Sequence, residues 1–160
     1  VVWSIPTLLM VIAISLALGK GFWQIFVAVG LTMWVEVARV VRGQVMSLKK
    51  MEYVQAAQVL GYGNIRIMFA HILPNIMSPV IVISAANFAS AILMEAGLSF
   101  LGIGVQAPIP SWGSMIKDHY AYIILDKAYL AVTPGMAIMI LVLAFMLLGN
   151  MLRDKLDVRT

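Results

Sequence analysis

The chain has 160 residues, of which 62% are hydrophobic and only 11% are charged, and its mean hydropathy is +0.99. A typical soluble domain carries about 25% charged residues, so a water-soluble fold built from this chain would have a mostly apolar surface. Disorder is excluded as well, because it needs low hydrophobicity and high net charge. Cysteine is absent, which excludes disulfides, cysteine zinc sites and thiol nucleophiles. The composition therefore indicates an integral membrane protein.

Four long segments contain no Asp, Glu, Lys or Arg, and they span residues 1–19, 21–35, 72–94 and 128–152. A helix of about 20 residues crosses the hydrocarbon core of a bilayer. The last two segments reach that length, and the first two do so if a tight outer loop around Lys20 joins them. Backbone groups in lipid must form hydrogen bonds within their own segment, so these spans are predicted to be helices. The predicted fold is an all-α polytopic membrane protein with about four transmembrane helices.

The basic residues indicate the orientation of these spans, because Lys and Arg are enriched in cytoplasmic loops. Segment 36–71 holds five of them and the last eight residues hold three, whereas segment 95–127 holds two Lys against three acidic residues. We therefore predict a cytoplasmic loop at 48–71, an extracytoplasmic loop at 95–127 and a cytoplasmic chain start. Because the chain opens at Val1 with neither a Met nor a basic region, we interpret it as a piece of a longer protein.

The cytoplasmic loop 48–71 has the pattern of two short helices joined by a Gly-x-Gly turn. Ser47 is the predicted N-cap of the first helix, and Asn64 is predicted to cap a second helix that ends near residue 70. Pro74 would end that helix or kink the start of the third span. The apolar positions of the first helix recur at helical spacing: Met51, Val54, Ala57 and Leu60.

Several motifs resemble one family of transport proteins. Residues 53–61 read Tyr-Val-Gln-Ala-Ala-Gln-Val-Leu-Gly and are followed by His-Ile-Leu-Pro-Asn at 71–75, which resembles the EAA loop of ABC-importer permeases. Further segments look like the dipeptide, oligopeptide and nickel branch of that family: Val-Val-Arg-Gly-Gln-Val at 40–45, Glu-Ala-Gly-Leu-Ser-Phe-Leu-Gly-Ile-Gly-Val-Gln at 95–106, Pro-Ser-Trp-Gly at 110–113 and Leu-Arg-Asp-Lys-Leu-Asp at 152–157. The resemblance covers essentially the whole chain, with the motifs in the expected order.

The resemblance implies a type I ABC-importer permease core in the inner membrane of a bacterial or archaeal cell. Such a subunit passes a peptide or a related small solute, such as a nickel chelate, by alternating access. The implied partners are two ATPase subunits or domains, a second homologous permease subunit, an extracytoplasmic substrate-binding protein and membrane lipid, with no nucleic acid. The chain itself would bind no cofactor, since ATP and Mg²⁺ would be held by the ATPase. Family members also have one or two spans before the point that matches Val1.

The resemblance and the low helix surface at Ala56 and Ala57 together predict where the ATPase docks. The predicted coupling residues are Tyr53, Gln55, Ala56, Ala57, Leu60 and Gly61. Gln55 stands where the motif has Glu, but it keeps the length and hydrogen-bonding capacity of that side chain. Glu36, which is a small neutral residue in the family, can pair with Arg39 at i,i+3.

Glu95 follows the third charge-free segment and has two interpretations. It is either an anchor at the membrane interface or a residue of the transport pathway or its gate. The second interpretation rests on Gly97, Gly102 and Gly104, which would permit a re-entrant turn lining a cavity.

Other functional classes fit the sequence less well. An ion channel or secondary transporter would have the same hydropathy, and only the loop motif argues against it. Residues 56–61 with the following helix also resemble a helix-turn-helix DNA binder, but two helices alone cannot build the core of that domain. The only Gly-Lys, at 19–20, is followed by Gly, so no phosphate-binding loop is present. We predict no catalytic, cofactor-binding or metal site and therefore no enzyme.

Overall fold

The computed structural model describes residues 5–19 and 21–157, with side chains up to Lys155. Within these ranges every regular element is a helix, which confirms the predicted fold class. The elements in chain order are α1 (Thr7–Leu18), α2 (Phe22–Leu48), α3 (Glu52–Val59), α4 (Asn64–Ile67), a π-helical turn (Met68–Ile72), α5 (Leu73–Phe100), α6 (Trp112–His119), a 3₁₀ segment (Tyr120–Leu125) and α7 (Tyr129–Asp157).

Three helical stretches are long and apolar enough to cross a membrane. They cover 27 residues in Phe22–Leu48, 37 residues in Asn64–Phe100 and 27 residues in Tyr129–Lys155. The predicted span at the start of the chain corresponds to α1, whose 12 residues are fewer than the roughly 20 that a bilayer needs. Residues 1–4 of that predicted span, and the predicted loop residue Lys20, lie outside the described residues.

The second helix of the loop 48–71 does not end near residue 70, so the first of the two alternatives for Pro74, that it ends this helix, is wrong. Helices α4 and α5 are joined through the π-helical turn, in which the Leu73 N–H donates to the carbonyl of Met68 five residues back. The wider π turn lets the chain pass Pro74 without a break, although proline lacks the N–H of a regular helix. The side-chain amide of Asn75 donates to the His71 carbonyl at 2.6 Å, which satisfies an acceptor beside the proline.

The first helix of the loop also begins later than predicted. Ser47 lies inside α2, which extends to Leu48, and the N-cap position of α3 is taken by Met51. Met51 has an extended backbone and makes no side-chain capping hydrogen bond. Ser47 is not a cap because α2 continues past it to Leu48.

The described residues divide into two compact units, and the long helices contribute segments to both. Unit 1 contains the described parts of 1–34 and 86–147, and unit 2 contains those of 35–85 and 148–160. In unit 1, one apolar cluster joins α1, α2 and the end of α5 through Val11, Ile25 and Leu98. A second cluster joins α5 to α7 through Ala89 and Ile138. The core of unit 2 is formed by the loop 48–71 together with the adjoining parts of α2 and α5.

Candidate functional site

The loop 48–71, which we call the coupling loop, is built around a small apolar core. Val54 and Ala57 of α3 pack with Ile67, Ile72 and Ile76 from the following helices. Three side chains near the end of α2 complete this core: Val41, Val45 and Leu48. Burial of a Val or Ile side chain contributes about 1.5–3 kcal/mol, so α3 is held firmly against the ends of two long helices.

A glycine turn ends α3 and fixes the direction of the chain. Gly61 has φ +78°, a conformation that L side chains rarely adopt. The Gly61 N–H donates to the Gln58 carbonyl at 3.0 Å, and the Tyr62 N–H donates to the Ala57 carbonyl at 3.1 Å. These two bonds form a Schellman motif, so the predicted turn at Gly61 is present and has a specific backbone requirement.

Tyr62 links this turn to the helices that follow. The Arg66 guanidinium lies 4.4 Å from the centre of the Tyr62 ring. The His71 ring stacks on the same tyrosine, with ring centres 6.1 Å apart and planes 10° apart. Cation–π and aromatic contacts of this kind each contribute about 0.5–1.5 kcal/mol, which adds to the packing of the coupling loop.

The predicted coupling residues divide between the surface and the core of the coupling loop. Tyr53, Gln55, Ala56, Leu60 and Gly61 are exposed, and Leu60 retains 71% of its accessible surface. The side-chain amide of Gln55 donates to the Lys50 carbonyl at 3.2 Å. A glutamate at this position lacks that donor. The Gln that replaces the motif Glu therefore makes a local hydrogen bond that Glu could not make.

Ala57 is the exception and corrects part of the prediction. Its side chain is only 4% exposed and packs against Val54 and the isoleucines of the core. The reasoning that gave Ala56 and Ala57 a shared low surface was wrong for Ala57, because the buried face of α3 passes through residues 54 and 57. Ala57 therefore supports the coupling loop from inside.

The structure also exposes two apolar residues that the sequence interpretation did not select. Val59 retains 89% of its accessible surface, and Ile65 is similarly exposed at the start of α4. Val59 lies about 140° around the helix from Val54, so it falls off the buried face. An aliphatic residue away from the periodic stripe was the signal that could have identified it.

Glu95 belongs to unit 1 and does not lie at a helix end. Helix α5 continues to Phe100, so the expectation that Glu95 ends the third span is corrected by five residues. The Ser99 hydroxyl donates to Glu95 Oε1 at 2.6 Å, and the Val105 N–H donates to the same hydroxyl oxygen at 3.1 Å. Ser99 is 2% exposed, so this chain of hydrogen bonds is anchored in the protein interior.

The turn after α5 makes the contact between Val105 and Ser99 geometrically feasible. Gly102 has φ +78°, and the Ile103 N–H donates to the Leu98 carbonyl at 3.0 Å in a second Schellman motif. Two residues later, Gly104 lies directly against Ser99. A Cβ on Gly104 would collide with both the backbone and the side chain of Ser99.

Glu95 also lines a cavity of about 620 Å³ in unit 1. The wall is contributed by α2, α5, α6, α7 and the loop before α6, and it is almost entirely apolar. Its aromatic members are Phe22, Phe26, Phe88 and Trp112. Among the described residues that line the cavity, Glu95 is the only one that carries a charge. This size is in the range of pockets that bind small molecules.

Comparison with known proteins gives one family for the whole chain. The model of the family described as "binding-protein-dependent transport system inner membrane component" matches residues 1–160.

Individual relatives have similar coverage. The chain is 42% identical over 157 residues to the oligopeptide transport system permease protein OppC of Bacillus subtilis, covering 98% of this chain and 51% of that protein. It is 40% identical over 154 residues to the dipeptide transport system permease protein DppC of Alkalihalophilus pseudofirmus, covering 96% and 50%. It is 38% identical over 157 residues to the glutathione transport system permease protein GsiD of Salmonella paratyphi A, covering 98% and 52%. The chain thus spans about half the length of these relatives.

Proposed function

The chain belongs to the binding-protein-dependent transport system inner membrane component family, and we propose that it serves as the membrane-spanning permease subunit of an ATP-driven importer. The proposed cargo is a peptide or a related small solute, because relatives named for oligopeptide, dipeptide and glutathione transport each match nearly the whole chain. Three long apolar helices agree with the multi-pass membrane location of the family. The cargo crosses by alternating access.

One observation in the structure supports coupling to an ATPase. Four residues on the outer face of α3 and at its C-cap, which we call the coupling surface, are exposed on a well-packed loop: Tyr53, Ala56, Val59 and Leu60. Their spacing places them on one side of the helix. A contiguous exposed apolar patch flanked by polar residues is typical of a protein-binding site, and a helix in a groove is a common way to fill it.

The inner face of α3 explains how such a contact can move the spans. Val54 and Ala57 pack against residues of α2, α4 and α5, so these segments form one apolar core. Close-packed cores transmit displacement with little compression. When the ATPase pair closes on ATP, a shift of α3 therefore carries the ends of both long helices with it.

The remaining components follow from this assignment. ATP and Mg²⁺ are held and hydrolysed by the separate ATPase, and this chain binds no cofactor itself. Two ATPase subunits or domains, a second homologous permease subunit and an extracytoplasmic substrate-binding protein complete the importer. Only the interface with the ATPase is assigned here to specific residues, namely the coupling surface together with Gln55 and the turn at Gly61.

The coupling surface can be tested in the complete importer reconstituted in proteoliposomes. The double change Val59→Ser and Leu60→Ser should lower both ATPase stimulation by loaded binding protein and ATP-driven peptide uptake by at least about tenfold. Two aliphatic contacts are removed from the interface, and each is worth about 1.5–3 kcal/mol when fully buried. Ile109→Ser is the control, because it also replaces an exposed aliphatic residue by serine, but in the predicted outer loop.

Normal stimulation by the double variant would contradict the docking assignment. Uptake that continues without ATP would instead favour a channel or secondary transporter.

The predicted sides of the membrane can be tested with single cysteines, since the chain contains none. One membrane-spanning stretch, Asn64–Phe100, separates Gln58 from Asp118. Cysteines introduced as Gln58→Cys and Asp118→Cys should therefore react with a membrane-impermeant maleimide from opposite sides, whatever the number of spans before α2. Labelling of both from one side would contradict the assigned loops.

A further inference from the structure

The unit 1 cavity combines an apolar wall with a single acidic group. Its aromatic residues come from α2, α5 and the start of α6, and Glu95 lies among them on α5. Attraction between opposite charges is stronger beside an apolar wall than in water, which favours a partner of opposite charge there. The charge of the cavity is therefore complementary to a cation.

The position of the Glu95 carboxylate is fixed before any ligand arrives. Oε1 accepts the hydrogen bond from Ser99, and Ser99 is itself held by the Val105 N–H. Among the described residues, no group forms a hydrogen bond or ion pair with Oε2. A carboxylate held in this way loses little rotamer freedom when it binds, which favours affinity.

The basic side chain of Lys117 on α6 does not line the apolar cavity. Lys117 is exposed, and its amino group lies close to Gly102 in the turn after α5. It lines a separate, smaller cavity of about 320 Å³ and not the apolar one. Lys117 therefore does not supply the cation that the apolar cavity lacks.

We propose that this cavity binds a small organic cation in which a primary ammonium group is attached to an apolar body. Glu95 receives the ammonium group through Oε2, and the rings of Phe22, Phe26, Phe88 and Trp112 cover the apolar part. This inference rests on the proposed function, under which the cation is the free amino end of a peptide with an apolar first side chain. The cavity is then a station on the transport path that selects for a free amino terminus.

Photolabelling of the complete importer in nanodiscs, without its binding protein, tests the inference. The probe is a Leu-Leu dipeptide with a diazirine in its first side chain, and its N-acetylated form is the matched probe without an ammonium group. Wild-type permease should be labelled about tenfold more strongly by the free dipeptide, as expected for one charge-assisted hydrogen bond. Glu95→Gln should abolish this preference, whereas Glu95→Asp, which keeps the charge, should retain part of it.

Glu36→Gln serves as the control, since it removes one carboxylate from an exposed position outside the cavity. Equal labelling of wild type by the two probes would overturn the inference, and so would a preference that survives Glu95→Gln or labelled peptides that map outside the cavity. A Glu95→Asp variant with no preference would also count against it, provided that its size-exclusion profile is normal.

ATP-driven uptake of the free dipeptide by the wild-type importer with its binding protein is measured separately. Failure of uptake together with ammonium-dependent labelling would contradict the proposed function but leave the cation site intact. Normal uptake without ammonium-dependent labelling would contradict the cation site but leave the proposed function intact.

Discussion

The turns that follow α3 and α5 share one backbone pattern and differ in their surroundings. Gly61 and Gly102 both have φ +78°, and in each turn the next N–H donates to the carbonyl five residues back. No described atom beyond its chain neighbours lies within 4 Å of a Cβ built on Gly61, whereas the same position on Gly102 meets the Lys117 side chain. The first turn leaves Val59 and Leu60 exposed, and the second folds back to hold Ser99.

The difference teaches that the residues after the turn decide its role. After Gly61, Gly63 takes the N-cap position of a new helix that begins at Asn64. After Gly102, Gly104 lets the backbone pass against Ser99, so the Val105 N–H reaches a hydroxyl six residues earlier. One turn therefore leaves an apolar surface exposed, and the other places Val105 in the wall of the unit 1 cavity.

The largest expected effect is on the core behind the first turn. Ala57→Asp would place an unpaired charge at a position that is 4% exposed, at a cost of about 3–5 kcal/mol. We expect the coupling loop to become sensitive to limited proteolysis, while membrane insertion is kept and ATPase stimulation is lost. Ala56→Asp is the matched control on the exposed face and should keep protease resistance. An Ala57→Asp loop that resists protease as wild type does would contradict the buried position.

The next largest effect concerns the close contact behind the second turn. Gly104→Ala would force Ser99 to move and should lower stability by about 1–3 kcal/mol, as overpacking does. The thermal unfolding midpoint of the nanodisc importer should fall, and the ammonium preference of the photolabel should decrease. Gly97→Ala is the control, because its Cβ meets no neighbour and alanine favours the helix. Equal midpoints for the two variants would show that the Ser99 contact is not needed.

The smallest effect compares the two turns directly. Gly61→Ala and Gly102→Ala each place a Cβ in the left-handed region, at a cost of about 1–2 kcal/mol. The Lys117 amino group near Gly102 ends a flexible side chain, so it can move and the two costs should be similar. The readouts should differ: Gly61→Ala lowers ATPase stimulation, and Gly102→Ala lowers photolabelling by the free dipeptide. If both variants lowered ATPase stimulation and photolabelling alike, the two turns would not have distinct roles.

Much of the fold could be predicted from the sequence because lipid imposes a strong constraint. Charge-free segments had to be helices. Each of the three longest described helices begins within one residue of such a segment's start and continues beyond its end. The turn at Gly61 was also predictable, since glycine is the residue that a left-handed helix end favours. The length of the first helix was not predicted. The charge-free segment at 1–19 suggested a full span, whereas the described helix α1 has 12 residues.

The apolar spacing in α3 indicates which face is buried, but not where that face ends. Val54, Ala57 and Leu60 have helical spacing, yet α3 ends at Val59, so Leu60 enters the turn and becomes exposed. The Glu95–Ser99 contact follows the i,i+4 spacing of a helix and could have been found. The Val105 contact could not, because it depends on the tertiary course of the turn.

The π-helical turn between the coupling loop and the third span also constrains the number of residues in this segment. Ile67 precedes the turn, whereas Ile72 and Ile76 end it or follow it, and all three face the same apolar core. Loss of one residue between them would rotate the later pair by about 100° around the helix axis. We therefore expect this segment to accept substitutions at its exposed positions but not the loss or gain of one residue.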